Sequence, residues 1–109
     1  MLSDNATKAV DSVIKAIKES PEYTDFEKQK KIVKDNPKTR DMLERVKSIQ
    51  LRLMSIPEEE RNSDYAESLQ DEYEEITENT AVYDYSRAES IYVTMLQEVL
   101  GSMVESVDL

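Results

Sequence analysis

Residues 79–107 form the longest amphipathic stretch of the sequence and constrain the fold more than any other part. At about 100° per residue, their apolar side chains fall into two adjacent stripes. The first stripe contains Tyr85, Ala88, Tyr92, Met95, Val99 and Met103. The second contains Val82, Val93, Leu96, Leu100, Val104 and Val107. Together they cover roughly 200°, whereas the apolar arc of a surface helix is a little over ~100° wide. The pattern predicts one long helix packed on two sides.

The predicted length of this helix indicates a second subunit. It would span about 40 Å, whereas a compact chain of this size has a radius of gyration near 13 Å. We therefore predict a homodimer or higher oligomer, with one stripe on the chain itself and the other on its partner. The alternative is a bend or frayed end at Gly101, because glycine weakens a helix by about 1 kcal/mol relative to alanine. Which stripe faces which neighbour stays open. The predicted interface residues are Tyr85, Ala88, Glu89, Tyr92, Met95, Leu96, Val99 and Met103.

Glu89 is the one charged residue inside this apolar arc. An unpaired charge in such a position would be costly. One interpretation is that its methylene groups pack while the carboxylate reaches an Arg, a Lys or a Tyr hydroxyl on a neighbouring helix. The other is that Glu89 contacts a partner and sets specificity.

The composition and the helix-start motifs favour a single all-α domain over residues 1–109, a bundle of about four to five helices. One Gly and three Pro leave few turn residues, and 35% of the side chains are charged. Ser20-Pro21 and Asn36-Pro37 each place a capping side chain before a proline at the first helical position. Besides the long helix, the predicted helices cover residues 4–19, 21–34, 37–55 and 64–77. Pro57 begins the one clear loop, which could include a helical turn.

Apolar spacing predicts which residues of these helices form the core. The first helix offers Ala6, Val10, Val13, Ile14 and Ile17, and the second offers Tyr23, Phe26 and Val33. The third offers Met42, Val46, Ile49, Leu53 and Ile56, widened by Leu43 and Met54. The fourth offers Tyr65, Leu69, Tyr73 and Ile76.

Charge is spread unevenly along a chain whose net charge is −10. Residues 27–56 carry nine basic and four acidic side chains, and residues 57–89 carry two basic and twelve acidic ones. This asymmetry predicts that the third and fourth helices pair antiparallel, basic beside acidic, and it disfavours direct nucleic-acid binding. A basic cluster, formed by Lys28, Lys30, Lys31 and Lys34, is either a solvated helix face or a phosphate or RNA site.

The sequence offers little for catalysis or cofactor binding. It has no Cys and no His, so thiolate ligands, cysteine nucleophiles and imidazole bases are excluded. We recognise no calcium loop, phosphate loop, dinucleotide fingerprint or zinc motif. No catalytic, cofactor-binding or metal-binding residue is therefore predicted, and no cofactor is expected. The sequence also predicts no membrane span, and we expect a cytoplasmic protein.

Three motifs resemble the YlbF/YmcA family of small helical bacterial proteins. Ser20-Pro21-Glu22-Tyr23 with Phe26 is similar to the family's start of helix 2, and Asp35-Asn36-Pro37 with Leu43 and Gln50 to the helix that follows. Asn79-Thr80-Ala81-Val82, Tyr85, Ala88-Glu89, Leu96 and Glu98-Val99 resemble its final helix. Thr80 stands where the family usually has proline. The family's cysteines, which bind an iron–sulfur cluster in some complexes, are absent here.

The resemblance implies a non-catalytic regulatory adaptor that acts through protein–protein interaction. The implied partners are a second copy, paralogous family proteins, and a complex with a membrane-associated endoribonuclease that affects RNA processing, competence, sporulation or biofilm formation. A holdase-like chaperone is the first alternative, since acidic helices can display an apolar groove. A small all-helical enzyme using Arg, Lys and carboxylates is the second.

Overall fold

The computed structural model describes residues 1–107, which form five α-helices joined by short connections. They are α1 (Asp4–Lys18), α2 (Pro21–Asp35), α3 (Pro37–Ser55), α4 (Asp64–Thr77) and α5 (Thr80–Ser106). A 3-10 turn at Glu58–Glu60 lies between α3 and α4, and no strand occurs within residues 1–107. The predicted all-α architecture with a long C-terminal helix is confirmed. The helix bounds agree with the predicted ones to within one residue, and α5 continues through Gly101.

Side-chain caps explain where the helices begin. The side-chain oxygens of Ser3, Ser20, Asn36, Ser63 and Asn79 each accept a hydrogen bond from a backbone N–H in the first turn of the following helix. These N–H groups have no partner inside the helix, so each cap satisfies a donor that would otherwise need water. The two cap-plus-proline motifs therefore act as the sequence predicts.

The chain divides into two compact units, of which one is continuous in sequence and the other combines two separate segments. The first unit contains residues 1–28 together with the chain from Arg87 onwards, and the second contains Gln29–Ser86. The boundaries fall inside α2 and inside α5. A single domain over the whole chain stays a prediction.

The second unit contains most of the buried side chains. Its buried apolar residues are Val33, Leu43, Val46, Ile49, Ala66, Leu69, Val82 and Tyr85. The one buried polar residue among them is Thr39, whose hydroxyl donates to the carbonyl oxygen of Val33 at 2.8 Å. That bond joins the first turn of α3 to the last turn of α2, across the Asn36-Pro37 break.

Helices α3 and α4 pack against each other with an ion pair at one edge. Arg45 Nε and Nη2 donate to the two carboxylate oxygens of Glu72 at 2.6 and 2.7 Å. Leu53, later on α3, lines a hollow with Ala66, which is earlier on α4. The two helices therefore run antiparallel, and a basic helix pairs with an acidic one, as the charge asymmetry predicts.

The first unit has an aromatic cluster at the beginning of α2. The ring of Tyr92 stacks on that of Phe26, with centroids 4.9 Å apart, and meets Tyr23 edge-on at 5.7 Å. By contrast, no residue of α1 is buried. Val10 and Ile14, predicted for the core, are 39% and 43% exposed.

Two further core predictions are wrong. Met54 is 82% exposed and Tyr65 is 54% exposed. Met54 lies about 80° around α3 from Val46, which is outside the arc that meets α4. Tyr65 is in the first turn of α4, where its ring has solvent on one side. Ala66 is buried instead, although its small side chain gives little periodic signal.

Candidate interaction surface

Burial along α5 changes sharply near its middle. Val82, Tyr85 and Ala88 are at most 4% exposed, so the first turns belong to the core of the chain. From residue 91 to residue 107, no side chain is fully buried. The C-terminal part of α5 is apolar in sequence and is only partly covered by its own chain.

The two apolar stripes differ in this C-terminal part. In the first stripe, Tyr92, Met95 and Val99 are half-buried. In the second stripe, exposure reaches 42% at Val93, 60% at Leu100 and 49% at Val104. Up to Val99 the first stripe packs against the chain, whereas the second stripe is exposed here except at Leu96, which is half-buried. Met103, the last residue of the first stripe, is also exposed, at 44%. The sequence had left this choice open.

The predicted interface residues thus fall into three groups. Tyr85 and Ala88 are buried within the chain. Five are half-buried: Glu89, Tyr92, Met95, Leu96 and Val99. Met103 is 44% exposed. That these residues form an interface stays a prediction, and the buried pair is the least accessible to a partner.

The predicted interface leaves out three exposed apolar residues of α5 that belong to the second stripe. We define the C-terminal apolar face by five residues that lie within about 100° on α5. They are Val93, Leu96, Leu100, Met103 and Val104. Leu96 and Met103 belong to the predicted set. Val93, Leu100 and Val104 were visible in the sequence as members of the second stripe. The spacing of apolar residues could not show whether that stripe faces solvent or the core.

Apart from Glu89, the charged residues between residues 89 and 107 lie away from the C-terminal apolar face. Glu98 and Glu105 lie on the far side of α5, about 160° and 140° around the helix from Leu100. Glu89 lies within the arc one turn before Val93, is half-buried, and is not without a partner. An apolar surface whose nearest charged residue lies one turn beyond its end is suited to docking another protein surface.

The two side chains with shifted pKa values, Arg45 and Glu72, link α3 to α4 and do not line a cleft. The hydrogen bonds from Arg45 hold the pKa of Glu72 below its usual range, and the same bonds raise the pKa of Arg45. Their geometry is that of an ion pair linking α3 to α4. Within residues 1–107, no three carboxylates come together in a way that could hold a metal ion. None of the helices described is both long and apolar enough to cross a bilayer.

Comparison with known families identifies the chain. A family model described as "Control of competence regulator ComK, YlbF/YmcA" matches residues 7–108. The chain belongs to the YlbF/YmcA family. This confirms the resemblance seen in the helix-start motifs and in α5, and the description of the YlbF/YmcA family is that of a regulator. Searches of curated proteins and of solved structures gave no match.

Proposed function

We propose that this YlbF/YmcA protein is a regulatory adaptor that assembles as a dimer or larger oligomer through its C-terminal apolar face. The observation that carries the proposal is the exposure of Leu100 and Val104, which are 60% and 49% exposed in the single chain. Solvated apolar surface of this kind lowers its free energy when another apolar surface covers it, at about 25 cal/mol per Å². Contiguous exposed apolar patches commonly mark interaction sites.

The first unit offers a second apolar strip that can contribute to the same assembly. Val10 and Ile14 are one turn apart on α1 and are 39% and 43% exposed. Standard stable interfaces bury about 800 Å² per partner, which is more than five side chains on one helix supply. The proposed interface therefore includes α1 as well as α5.

The proposed partners beyond a second copy are paralogous family proteins and an endoribonuclease complex. Family membership supports the regulatory role, because the family is described by its control of a competence regulator, and the named partners are those that the family resemblance implies. The proposed mechanism is binding without catalysis. Assembly presents helices of this chain to the regulated complex, which would influence RNA processing, competence, sporulation or biofilm formation from the cytoplasm.

Light scattering on matched variants tests the interface. Leu100→Asp with Val104→Asp places two charges on the C-terminal apolar face. Thr94→Asp with Ser90→Asp adds the same two charges to the polar side of α5, where both residues are exposed. The wild type and the control pair should have a mass that is a multiple of the 12.6 kDa chain. The face variant should be monomeric and equally helical by circular dichroism. A monomeric wild type would contradict the proposal.

A holdase-like chaperone is the second candidate, because the same exposed side chains would bind unfolded clients. The two functions differ in selectivity. An adaptor co-purifies with a few defined proteins in its native host and leaves the aggregation of a denatured test protein unchanged. A holdase co-purifies with many proteins and suppresses that aggregation near equimolar ratio, and Leu100→Asp with Val104→Asp should abolish the suppression.

A further inference from the structure

A second surface, within residues 29–86, combines an apolar floor with an acidic rim. Three open hollows follow α4 from its beginning to its end. The first lies between Leu53 and Glu67, and the second between Met54 and Tyr73. The third lies between Glu74 and Tyr83. The first two share Leu53 and Gln70, and a hydrogen bond from Gln70 to Glu74 joins the second to the third. We call these three neighbouring hollows together the α4 groove.

The apolar side chains of the α4 groove are open to solvent. Met54 is 82% exposed and Tyr83 is 55% exposed. Tyr73 lies between them and is half-buried. Side chains of these types are suited to contact the apolar anchor residues of a partner helix. Met adapts to irregular surfaces, and Tyr presents both an apolar ring and a hydroxyl.

The rim of the α4 groove is strongly acidic. Its carboxylates are those of Glu67, Asp71, Glu74 and Glu78. Arg61 is the basic residue among those that line the three hollows. The α3 side of the groove offers the neutral residues Gln50, Leu53 and Met54. The groove therefore carries excess negative charge that its own walls do not balance.

Helix α4 is destabilised by this charge in the isolated chain. Glu67–Asp71, Asp71–Glu75 and Glu74–Glu78 are like-charge pairs four residues apart, which is a repulsive spacing. The last turn has no basic residue, although cations are favoured at a helix C-terminus. The ion pair with Arg45 involves Glu72, about 160° around α4 from Glu74, so it does not neutralise the groove. A cationic partner would relieve this repulsion.

We propose that the α4 groove binds a basic amphipathic helix of another protein. The 14 residues of α4 span about 21 Å, which matches four turns of a bound helix. A helix in a groove is held by apolar anchors at positions such as i, i+3 and i+7, with charges alongside them. Its apolar residues meet Met54, Tyr73 and Tyr83, while its Lys or Arg residues meet the acidic rim. The α4 groove shares no residue with the C-terminal apolar face. Each proposal can therefore be tested, and rejected, without affecting the other.

Fluorescence anisotropy with a designed peptide tests the groove. The probe is a labelled helical peptide of about 18 residues with Leu at anchor spacing and Lys elsewhere. A second peptide keeps every Leu and replaces each Lys by Glu. The wild type should bind the Lys peptide, with an affinity that falls as salt rises, and should not bind the Glu peptide.

Charge-matched variants distinguish binding in the α4 groove from a general attraction between the basic peptide and the acidic protein. Glu74→Gln with Glu78→Gln removes two charges from the rim. Glu44→Gln with Glu59→Gln removes two exposed charges elsewhere, because Glu44 lies on α3, Glu59 precedes α4, and neither lines one of the three hollows. The rim pair should weaken binding about tenfold, and the control pair about twofold or less. Met54→Ala, which leaves all charges in place, should weaken binding several-fold.

Three results of the binding assay would overturn the proposal. They are no binding of the Lys peptide, equal losses in the two charge-matched pairs, and no effect of Met54→Ala. A fourth overturning result is loss of self-association in the rim pair by light scattering, which would assign the groove to a second copy of this chain. Circular dichroism of each variant confirms that the helices are intact.

Discussion

Phe26 and Tyr92 stack with their ring centroids 4.9 Å apart and their planes 16° from parallel. This contact fixes the beginning of α2 against α5 within the first unit. It also gives Tyr92, one of the predicted interface residues, a packing role inside its own chain. A change at Tyr92 therefore affects the fold before it affects any partner.

Tyr92→Ala should lower the free energy of unfolding by about 2–3 kcal/mol. Truncating a fully buried aromatic side chain costs about 3–5 kcal/mol, and Tyr92 is half-buried, so the loss lies below that range. Tyr92→Phe keeps both ring contacts and should cost little. Urea unfolding at one protein concentration measures both variants. If Tyr92→Ala proves as stable as Tyr92→Phe, the aromatic cluster does not stabilise the first unit.

The ion pair between Arg45 and Glu72 should make stability depend on acid pH. The pKa of Glu72 is lower in the folded chain than in the unfolded one, where glutamate titrates near about 4.3. Its contribution is therefore fully present above that pH and is lost as the pH falls through the folded pKa. Both side chains are partly solvated, so the effect is modest.

A comparison of melting temperatures at several pH values tests this. From pH 7 to about 5, the melting temperature of the wild type should exceed that of Glu72→Gln by a constant margin. This difference in melting temperature should shrink below about pH 4. Glu44→Gln, at an exposed position on α3, is the control and should show no such margin. A margin that persists undiminished at about pH 3 would show that Glu72 acts through packing and not through its charge.

The fold was largely predictable because its signals are local. Cap residues before Pro21 and Pro37 set two helix starts, and the spacing of Val46, Ile49 and Leu69 marked the core. These signals depend on neighbours in sequence, which the chain itself displays.

The interaction surface was harder to predict because exposure depends on which neighbouring helix is present. Val99 and Leu100 are consecutive apolar residues with similar periodic signals, yet Val99 is half-buried and Leu100 is 60% exposed. Met54 shows the same ambiguity on α3. The α4 groove was visible in sequence as an acidic helix only, since its apolar floor also comes from α3 and α5.

Thr39→Val should destabilise the second unit by about 1–2 kcal/mol. The substitution keeps the shape of the side chain but removes the hydroxyl that donates to the buried carbonyl oxygen of Val33 at 2.8 Å. A buried acceptor left without a donor costs about 1–3 kcal/mol, and the Asn36 carbonyl loses a second bond at 3.1 Å. Thr39→Ser retains the donor and should cost less. Equal stability losses in chemical denaturation would assign the effect to the methyl group instead.

Gly101→Ala should stabilise the protein by about 0.5–1 kcal/mol without changing its oligomeric mass. Gly101 lies inside α5, and a Cβ added there meets no atom within 4 Å. Alanine loses less conformational entropy than glycine on entering a helix, so the gain is that of helix propensity alone. Gly101 is also about 100° around α5 from Leu100, off the C-terminal apolar face. Denaturant unfolding measures the gain and light scattering the mass. A gain in stability with a loss of mass would mean that a partner helix crosses α5 at this glycine, which would move the proposed interface around the helix.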